Sequence, residues 1–338
     1  MNKNKKIAII GAGISGLTIA NKLKDIAQVT IFEKSKGIGG RMSNRRHENY
    51  SFDHGAQFFT AKTAEFKDFC QNMLQNKVIE VWKARFAEID GSKIKRKWSF
   101  NESHPHFVGV PQMNSMCKLM AEGLNIKRGV KIDKIEFYNK KWQLTDENSQ
   151  IFQDFDYLII SAPLEQTKEL VKNYTDIIEN MNLREMLPCF SLMIGLNKDF
   201  DFGFDAALVK NSIISWISSN RSKPKREGGF TLLVNSSNIW AQNNIDIHKS
   251  EVSKQLTLQL QKIINFKDSD IVHQNIHLWR YANAKFINGP LSLFEKNINL
   301  GICGDWLISG RVEHAFLSAC DLGKKLDILK RASTNLTS

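Results

Sequence analysis

The fold is decided by residues 7–23, which run IAIIGAGISGLTIANKL. Ile7 to Ile10 are four consecutive apolar residues, which predict a short buried strand of a parallel sheet. Three glycines with the spacing G-x-G-x-x-G follow, and an amphipathic helix is predicted after them. In such a loop Gly11 allows a tight turn, Gly13 lets a pyrophosphate approach the backbone, and Gly16 lets the helix pack closely on the strand. We therefore predict a dinucleotide-binding fold, with an ordinary turn of small residues as the alternative.

A second strand and an acid continue this pattern. Val29 to Phe32 predict the strand, and Glu33 follows at the position where an acid can hold a ribose hydroxyl. Residues 34–42, KSKGIGGRM, add a second glycine loop that ends in Arg41 and Met42. A domain that binds only a nicotinamide dinucleotide has no evident need for this second loop, whereas a cofactor that extends along the sheet does. The E-x(5)-G-G-R arrangement resembles the flavin-binding signature of the amine oxidase superfamily, so the dinucleotide is predicted to be FAD.

The composition is that of a soluble enzyme. The chain has 338 residues, of which 42% are hydrophobic and 24% charged, enough for one large or two medium domains. Its net charge of +12 comes from basic residues spread along the chain, with small clusters at Lys93–Lys97 and Lys223–Arg226. A nucleic-acid-binding protein would more often carry a dense basic stripe with aromatic residues. We expect a solvated basic surface that attracts anionic substrates, and no nucleic-acid partner.

The cysteines and the N-terminus indicate a cytoplasmic protein. The chain has five scattered cysteines and no C-x-x-C, which is typical of reduced thiols rather than of disulfides or structural zinc. No apolar run approaches the ~18 residues that span a bilayer, so no membrane partner is expected. Met1 to Lys6 and the apolar stretch after them resemble a signal peptide, but cleavage there would remove the phosphate loop.

Residues 52–59, FDHGAQFF, surround a polar cluster and one glycine with aromatic residues. Such a segment suits a buried loop that lies against a planar ring, with an ordinary turn between strands as the alternative. Gly55, Ala56 and Gln57 are therefore included among the candidate FAD contacts. His54 could polarise the flavin or the substrate, and a hydrogen-bonded structural histidine is the alternative.

The segments that follow predict helices and strands in turn. A helix capped by Thr63 runs to about Gln75, and a β-hairpin is predicted over residues 78–98, with its turn at Asp90 and Gly91. Residues 113–124 predict a helix with a methionine stripe on one side, which is typical of core packing. Strands within residues 130–162 fit a small β-meander, and Val130 is a candidate backbone contact for adenine.

Residues 164–289 combine predicted helices with antiparallel strands, which indicates an α+β substrate domain. Its elements include a helix over about 247–264 and a strand over 276–281. Arg280 lies between two aromatic residues on that strand and would point to the opposite face from them. The candidates for the wall of a substrate pocket, each with ordinary core as the alternative, are Trp216, Trp240, Trp279 and Tyr281.

The last motif is predicted to close the cofactor site. Residues 298–305, INLGICGD, predict a strand that ends in Gly304 and Asp305, whose carboxylate can accept a hydrogen bond from a ribityl hydroxyl. A helix predicted from about Gly310 to Leu329 would direct its positive end at the flavin. The candidate contacts at its start are Arg311, Val312, Glu313 and Ala315.

The predicted fold class is α/β, with a discontinuous Rossmann-like FAD-binding domain. That domain takes residues 1–75, 105–163 and 290–331. The substrate domain, α+β with a mixed, largely antiparallel sheet, takes residues 76–104 and 164–289, and residues 332–338 are predicted to be a disordered tail. No metal site is predicted. The predicted FAD contacts are Gly11, Gly13, Ile14, Ser15, Gly16, Glu33, Lys34, Gly39, Gly40, Arg41, Met42, Gly55, Ala56, Gln57, Val130, Gly304, Asp305, Arg311, Val312, Glu313 and Ala315.

Taken together, these motifs resemble the renalase-like flavoproteins, a branch of the flavin-containing amine oxidoreductase superfamily. The resemblance covers nearly the whole chain, and its first two motifs are shared by the entire superfamily. The matching segments are GAGISG with Glu33, GIGGRM, FDHGAQFF, VGVPQMN, WISSNRSKP from Trp216, WRYA from Trp279, and CGDWLISGRVEHAFLSA from Cys303.

The resemblance implies non-covalent FAD in an elongated form, under a two-domain fold of the glutathione reductase and para-hydroxybenzoate hydroxylase (GR/PHBH) type. It also implies that the substrates are dihydronicotinamide dinucleotides reduced at the wrong ring carbon. These isomers would pass a hydride to flavin N5 and return to NAD(P)+, and dioxygen would reoxidise the flavin to give hydrogen peroxide. No general base is required, and no catalytic residue is assigned. An oxidase of a small amine, a nicotinamide-dependent flavin reductase and a non-catalytic FAD-binding module remain as alternatives.

Overall fold

The computed structural model describes residues 4–178, 185–285 and 289–326. Within them the chain divides into two compact units. The first unit takes its described residues from Met1–Gly40, Cys117–Met186 and Asn283–Ser338, and the second from Arg41–Met116 and Leu187–Ala282. No helix among the described residues is long and apolar enough to cross a membrane.

The elements are numbered in chain order. The helices are α1 (Ile14–Leu23), α2 (Ala64–Gln75), α3 (Ser115–Met120), α4 (Leu164–Val171), α5 (Asn238–Asn243), α6 (Lys249–Gln261) and α7 (Val312–Lys325). The strands are β1 (Lys6–Ile10), β2 (Gln28–Glu33), β3 (Arg45–His47), β4 (Tyr50–Phe52), β5 (Ile79–Val81), β6 (Arg85–Asp90), β7 (Lys93–Ser99), β8 (Phe107–Gly109), β9 (Asn125–Arg128), β10 (Ile132–Tyr138), β11 (Lys141–Asp146), β12 (Ile151–Phe155), β13 (Tyr157–Ile160), β14 (Met186–Leu196), β15 (Ala206–Lys210), β16 (Ile214–Ser219), β17 (Phe230–Ser236), β18 (Ile271–Ala284), β19 (Leu293–Glu295) and β20 (Leu300–Ile302).

The first unit contains a six-stranded sheet in the order β19-β20-β13-β1-β2-β9. The central strand β1 pairs in parallel with β13 on one side and with β2 on the other. Its residues Ile7 to Ile10 are buried, as a strand covered on both faces requires. The strand order places the glycine loop at the carboxyl end of the central strand, which is the Rossmann-like arrangement predicted from the sequence.

The glycine loop after β1 depends on close backbone packing. Gly11 has a φ of +105°, which favours glycine, and a Cβ there would lie 2.7 Å from Ser161 Oγ. A Cβ on Gly16 would collide with the carbonyl oxygen of Gly11. These two glycines therefore have packing roles within the protein, and they allow α1 to begin directly against the sheet.

A small antiparallel sheet of β10, β11 and β12 also belongs to the first unit, as the predicted meander requires. Its Trp142 is fully buried and donates a hydrogen bond from Nε1 to the carbonyl oxygen of Ile298 at 2.7 Å. Tyr174, just beyond α4, donates from its hydroxyl to the carbonyl oxygen of Ile135 at 2.8 Å. These two bonds connect the small sheet to other segments of the same unit.

The second unit is built on a seven-stranded mixed sheet in the order β18-β14-β17-β16-β15-β6-β7. The pair β15–β6 is parallel, whereas β14–β17, β16–β17, β15–β16 and β6–β7 are antiparallel. One face of the sheet carries the larger core, to which α6 contributes Val252, Leu256 and Leu260. The other face carries a smaller cluster of Phe52, Met193 and Leu233, with Tyr50 packed against it.

Several predicted boundaries differ from those observed. The methionine helix α3 ends at Met120, because Gly123 adopts a φ of +71° and the chain then enters β9, which pairs with β2. The strand predicted over 276–281 is longer, at Ile271–Ala284. Residues 41–75 and 105–116, which were predicted to be part of the FAD-binding domain, fall in the second unit. The predicted end of the last helix and the predicted tail 332–338 lie outside the described residues.

We expect the Asp156 carboxylate to stabilise the first unit in a pH-dependent way. It accepts hydrogen bonds from Lys5 Nζ at 2.9 Å, Lys141 Nζ at 2.8 Å and the Lys6 backbone at 2.9 Å. Burial raises the pKa of Asp156, but these bonds outweigh it and lower the pKa from 3.8 to about 2. Because the folded pKa is the lower one, the stabilisation is present above pH ~4 and is lost as the pH falls towards ~2.

The Asp156→Asn variant should lower the free energy of unfolding near neutral pH by about 1 kcal/mol, since the lysine partners are half-exposed. Chemical denaturation at several pH values would measure this difference, which should shrink below pH ~4. Asp133→Asn is a suitable control, because Asp133 is an exposed carboxylate paired with Lys131. An equal loss in both variants, or a loss that does not depend on pH, would contradict the assignment.

Candidate functional site

In the first unit, the structure brings the two predicted glycine loops together. Gly39 donates a backbone hydrogen bond to the carbonyl oxygen of Ala12 at 2.9 Å, and a Cβ on Gly40 would lie 3.6 Å from Gly13 Cα. Gly13 is the N-cap of α1, and no side chain caps that helix end. A Cβ on Gly13 would meet no described atom within 4 Å. The positive end of α1 therefore faces open space, which fits the approach of a pyrophosphate.

Glu33 lies beside this loop and supports it directly. Its Oε2 accepts a hydrogen bond from the backbone of Ala12 at 2.8 Å, and its Oε1 accepts one from the backbone of Ser35 at 2.8 Å. Val130 donates its backbone N–H to the carbonyl oxygen of Glu33 at 3.0 Å. Each carboxylate oxygen keeps a second lone pair, so Glu33 could still accept a bond from a ribose hydroxyl. The amine of Lys34 donates to Gln166 on an exposed part of the surface, at 3.3 Å.

The predicted C-terminal contacts also lie in the first unit. Gly304 donates its backbone N–H to Ser318 Oγ at 2.9 Å, and the buried Asp305 accepts backbone bonds through its carbonyl oxygen. Helix α7 begins at Val312, and its N-cap Arg311 makes no side-chain cap. Ser15 Oγ donates to the carbonyl oxygen of Ala315 at 2.8 Å, so the starts of α1 and α7 lie together. Ile14 and Glu313 are buried beside these contacts.

The remaining predicted FAD contacts lie in the second unit, where they form one connected loop. Ala56 donates its backbone N–H to the carbonyl oxygen of Arg41 at 2.8 Å, and a Cβ on Gly55 would collide with that oxygen. Arg41 Nη1 donates to the carbonyl oxygen of Ala282 at 3.1 Å. Gln57 Nε2 donates to the carbonyl oxygens of Gly55, at 2.9 Å, and of Asp53, so the loop is held from within. Met42 is buried.

A buried ion cluster of Asp53, Lys223 and Arg226 supports this loop, and we refer to it as the Asp53 cluster. Asp53 Oδ2 lies 3.2 Å from Lys223 Nζ and 2.6 Å from Arg226 Nη2. Asp53 Oδ1 accepts bonds from the Met113 backbone and from Asn44 Nδ2, both at 3.0 Å. The side chains of Asp53 and Lys223 have no exposed area, and that of Arg226 is 3% exposed.

The Asp53 cluster corrects the expectation of a solvated basic patch at Lys223–Arg226. Burial raises the pKa of Asp53, but the charges of Lys223 and Arg226 and the bonds to its carboxylate outweigh this, so its pKa lies below the usual range. Burial and repulsion by Arg226 lower the pKa of Lys223 to about 8, against the attraction of Asp53. The sequence analysis did not predict the cluster, although it had singled out both of the segments that form it, residues 52–59 and Lys223–Arg226.

Flat rings form a second feature of this unit, around His54 and Trp279. Their rings lie 5.1 Å apart with an interplanar angle of 29°, and Trp279 Nε1 donates to the carbonyl oxygen of His54 at 2.8 Å. His277 lies 5.1 Å from the ring of His54 and accepts at Nδ1 from Arg45 at 3.4 Å. Tyr281 follows Trp279 by two residues on β18 and is half-buried, whereas Arg280 is exposed. His277 and Arg45 were missed by sequence reasoning.

His54, His277 and Trp279 form a wall of flat rings, and both imidazoles of this wall are neutral at pH 7. Burial, with repulsion by His277 and Arg45, lowers the pKa of His54 to about 3, although Asp53 and a backbone bond act in the opposite direction. Burial, with repulsion by Arg45 and Lys249, lowers the pKa of His277 to about 4. His54 Nδ1 is buried and has no hydrogen-bond partner within the described part of the chain. Such an atom suits a donor group from a ligand.

The other aromatic candidates lie elsewhere. Trp216 packs with Phe58, at a centroid distance of 5.6 Å, and its buried Nε1 has no hydrogen-bond partner among residues 4–178, 185–285 and 289–326. Trp240 packs against Phe190 at the larger core of the sheet, so its expected place in a pocket wall is replaced by the core alternative. The structure thus groups Trp279 with His54, and Trp216 with Phe58.

Comparison with known families gives the identity of the fold. A NAD(P)-binding Rossmann-like domain matches residues 9–73, and the family described as flavin containing amine oxidoreductase matches residues 79–321. This protein belongs to the flavin containing amine oxidoreductase family. Membership of this family implies FAD as the cofactor, in general held without a covalent bond. The open cradle over Gly13 and the uncapped start of α1 fit the phosphates of this cofactor.

The solved structures similar to this flavoprotein share its fold. A putative protoporphyrinogen oxidase from Exiguobacterium sp. 255-15 is 9% identical, with a TM-score of 0.77 over 95% of this chain and 98% of that one. Wild-type putrescine oxidase bound to putrescine is 10% identical, with a TM-score of 0.71 over 99% of both chains. A 4,4'-diapophytoene desaturase of Staphylococcus aureus (strain Newman) is 45% identical over 51 residues, or 15% of this chain. The chain spans only 10% of the length of that curated relative.

Substitution of Gly13 should remove FAD without unfolding the flavoprotein. Gly13→Val would fill the space that the pyrophosphate needs, while its Cβ meets no protein atom within 4 Å. We expect the purified variant to lack the flavin absorption bands and to have the melting temperature of wild-type protein stripped of FAD. Gly37→Val is the matched control, since a Cβ there also meets nothing within 4 Å. Full retention of flavin by Gly13→Val would contradict the phosphate-loop assignment.

Loss of the Asp53 charge should strongly destabilise the second unit. Asp53→Asn would leave Lys223 and Arg226 buried with no counter-charge, which typically costs about 3–5 kcal/mol. Chemical denaturation at neutral pH would measure this loss, and a further Lys223→Met change should recover part of it. Asp201→Asn removes an exposed carboxylate that pairs with Arg85, and it should change the unfolding midpoint far less. Equal effects of the two single variants would contradict the role given to the Asp53 cluster.

Proposed function

We propose that this protein is a renalase-like oxidase of dihydronicotinamide dinucleotides that have been reduced at the wrong ring carbon. Its partners in this proposal are one such NAD(P)H isomer and dioxygen, and its products are NAD(P)+ and hydrogen peroxide. The proposal includes a two-domain architecture of the GR/PHBH type. It rests on the motifs quoted above and on the chemistry of the wall formed by His54, His277 and Trp279.

The observation that carries the proposal is the character of this wall. It consists of flat rings, and its two imidazoles are neutral at pH 7 because burial and Arg45 lower their pKa values. A planar dihydronicotinamide can stack on Trp279, and its carboxamide, which both donates and accepts, can hydrogen-bond to the unpartnered Nδ1 of His54 in either tautomer. Asp53 is fully buried in its ion pairs, so it is not available to an ammonium group. An uncharged, planar substrate ring is therefore favoured over a cationic amine.

The proposed reaction requires no acid, base or nucleophile from the protein side chains. Bound FAD supplies a hydride acceptor that dioxygen restores to the oxidised state. A dihydronicotinamide that loses a hydride becomes an aromatic cation, so no side chain has to remove a proton from carbon. The residues of the wall have to exclude water and hold the ring in one orientation, which alone can contribute a large part of the rate. No residue of the described chain needs to act as a nucleophile.

Oxidation of a small amine is the second candidate function. The family assignment favours it, and the fold similarity extends to putrescine oxidase in complex with putrescine. An amine would need to bind in its neutral form between aromatic rings. Arg45, 3.4 Å from His277, disfavours a cation at this wall.

An anaerobic spectral titration separates the candidates. We expect the long-wavelength bands of the oxidised flavin to bleach rapidly on addition of the mis-reduced NAD(P)H isomers, and to return with peroxide when air is admitted. Ordinary NADH and a panel of small amines, including putrescine, are the comparison substrates. Bleaching by amines alone would overturn the proposal in favour of an amine oxidase. Bleaching by none of them would overturn it in favour of a non-catalytic FAD-binding module.

A further inference from the structure

One face of β18 carries a row of imidazoles that extends beyond the wall of His54, His277 and Trp279. On one side of the strand, Ile276 and Leu278 pack into the larger core of the sheet. Because side chains alternate along a strand, His273, His277 and Trp279 lie on the opposite side. The short hairpin of β3 and β4 lines that side of the strand, and its residues contact the imidazoles.

The hairpin adds a guanidinium and a further imidazole to this row. Arg45 Nη2 lies 3.4 Å from His277 Nδ1, and the ring of His47 stacks on that of His273 at 3.9 Å and 18°. A guanidinium can only donate, so Nδ1 of His277 accepts and its Nε2 carries the proton. Arg45 and His47 are two residues apart on one strand and therefore share a face. The row thus combines one permanent charge with three imidazoles.

Burial changes steadily along the row. His54, beside Trp279 at one end, is 5% exposed, while the His47 side chain at the other end is 50% exposed. The distance along β18 from Trp279 to His273 is roughly 20 Å at ~3.3 Å per residue. A ligand that suits this surface has a flat apolar ring at one end and a solvated anionic group at the other.

We propose that Arg45, His273 and His277 form a binding site for the diphosphate of an anionic substrate whose planar ring stacks on Trp279. This assignment rests on the proposed function, because it makes the dinucleotide's own diphosphate the occupant. The Arg45 guanidinium binds the diphosphate through charge-assisted hydrogen bonds, and His277 donates to it from Nε2. Arg46 is exposed on the other face of β3 and takes no part.

Binding is coupled to proton uptake. Arg45 and Lys249 oppose protonation of His277, and His47 opposes that of His273 while Glu48 favours it. Asp53 favours protonation of His54, and Arg45 and His277 oppose it. An added diphosphate charge favours the protonated form of His273, so affinity rises as the pH falls. His277 stays neutral, because its only unprotonated nitrogen accepts from Arg45.

The first experiment measures binding of inorganic pyrophosphate to the FAD-loaded protein by calorimetry. Wild type and Arg46→Ala should bind alike, and Arg45→Ala should bind about tenfold to a hundredfold more weakly, as expected for loss of a charged hydrogen bond. Repeating the titration in two buffers of different ionisation enthalpy reports the proton uptake. Melting temperature and flavin retention show that each variant is folded. Equal affinities for Arg45→Ala and Arg46→Ala, or no binding by wild type, would overturn the site.

The second experiment compares two substrates of the same ring chemistry. The mis-reduced dinucleotide carries the diphosphate, whereas the corresponding dihydronicotinamide riboside carries no phosphate. Arg45→Ala should raise KM for the dinucleotide about tenfold to a hundredfold at unchanged kcat, and should raise KM for the riboside far less, because the riboside has no diphosphate to lose the contact. An equal loss with both substrates would show a structural role and overturn the site.

The two experiments also separate this inference from the proposed function. Pyrophosphate binding that depends on Arg45, in a protein that does not oxidise dihydronicotinamides, would support the anion site and remove the proposed substrate. Oxidation of the mis-reduced dinucleotide with a KM that Arg45→Ala does not change would support the proposed function and overturn the anion site. His273→Asn, which keeps an uncharged hydrogen-bonding side chain, should abolish the proton uptake while it retains pyrophosphate binding.

Discussion

The second unit depends on one buried carboxylate. Asp53 accepts bonds from Lys223, Arg226, Asn44 and the backbone of Met113, which belong to three separate segments of the chain. Removal of three charges from water is costly, and attraction in a medium of low dielectric offsets this cost only when the geometry is complete. The cluster is therefore stable as a whole or not at all. Gln57 also bonds to Lys223 and to the carbonyl oxygen of Asp53, which ties the loop of residues 53–57 to the cluster.

The first unit uses a different kind of constraint. There the backbone itself is crowded, since Gly11 and Gly16 leave no room for a Cβ, and Glu33 fixes the loop by accepting from Ala12. Gly13 is the exception, because nothing in the protein requires it to be glycine. A position that stays open in a crowded loop marks the space of a ligand. This contrast carries more weight for the FAD site than the glycine spacing alone.

Local features of the fold could be predicted, and distant ones could not. The glycine loop, the Thr63 cap and the hairpin of β6 and β7 depend on residues within one short segment, and the structure has them. The hairpin begins at Arg85 rather than at Val78, because Ile79–Val81 pairs with β8 instead. The Asp53 cluster joins residues 170 positions apart, so no pattern in either segment identifies the partner. The predicted helix over residues 113–124 was too long because pairing of β9 with β2, a tertiary contact, overrides helical spacing. The sequence could not show which of the aromatic candidates for the pocket wall lie together. The structure places Trp279 with His54, and Trp216 with Phe58.

The net charge of a chain is likewise a weak guide to its function without the structure. The formal charge of +12 suggested an anionic substrate, yet a charge count does not distinguish between cations that are paired in the interior and cations that face a ligand. Lys223 and Arg226 are buried on Asp53, so they contribute to the count and are unavailable for binding. Arg45 instead contacts the neutral His277 and lowers the pKa values of His54 and His277. The case for an anionic substrate therefore rests on this one arginine and its contact with His277, whose ring lies 4.4 Å from that of Trp279, rather than on the basic composition of the chain.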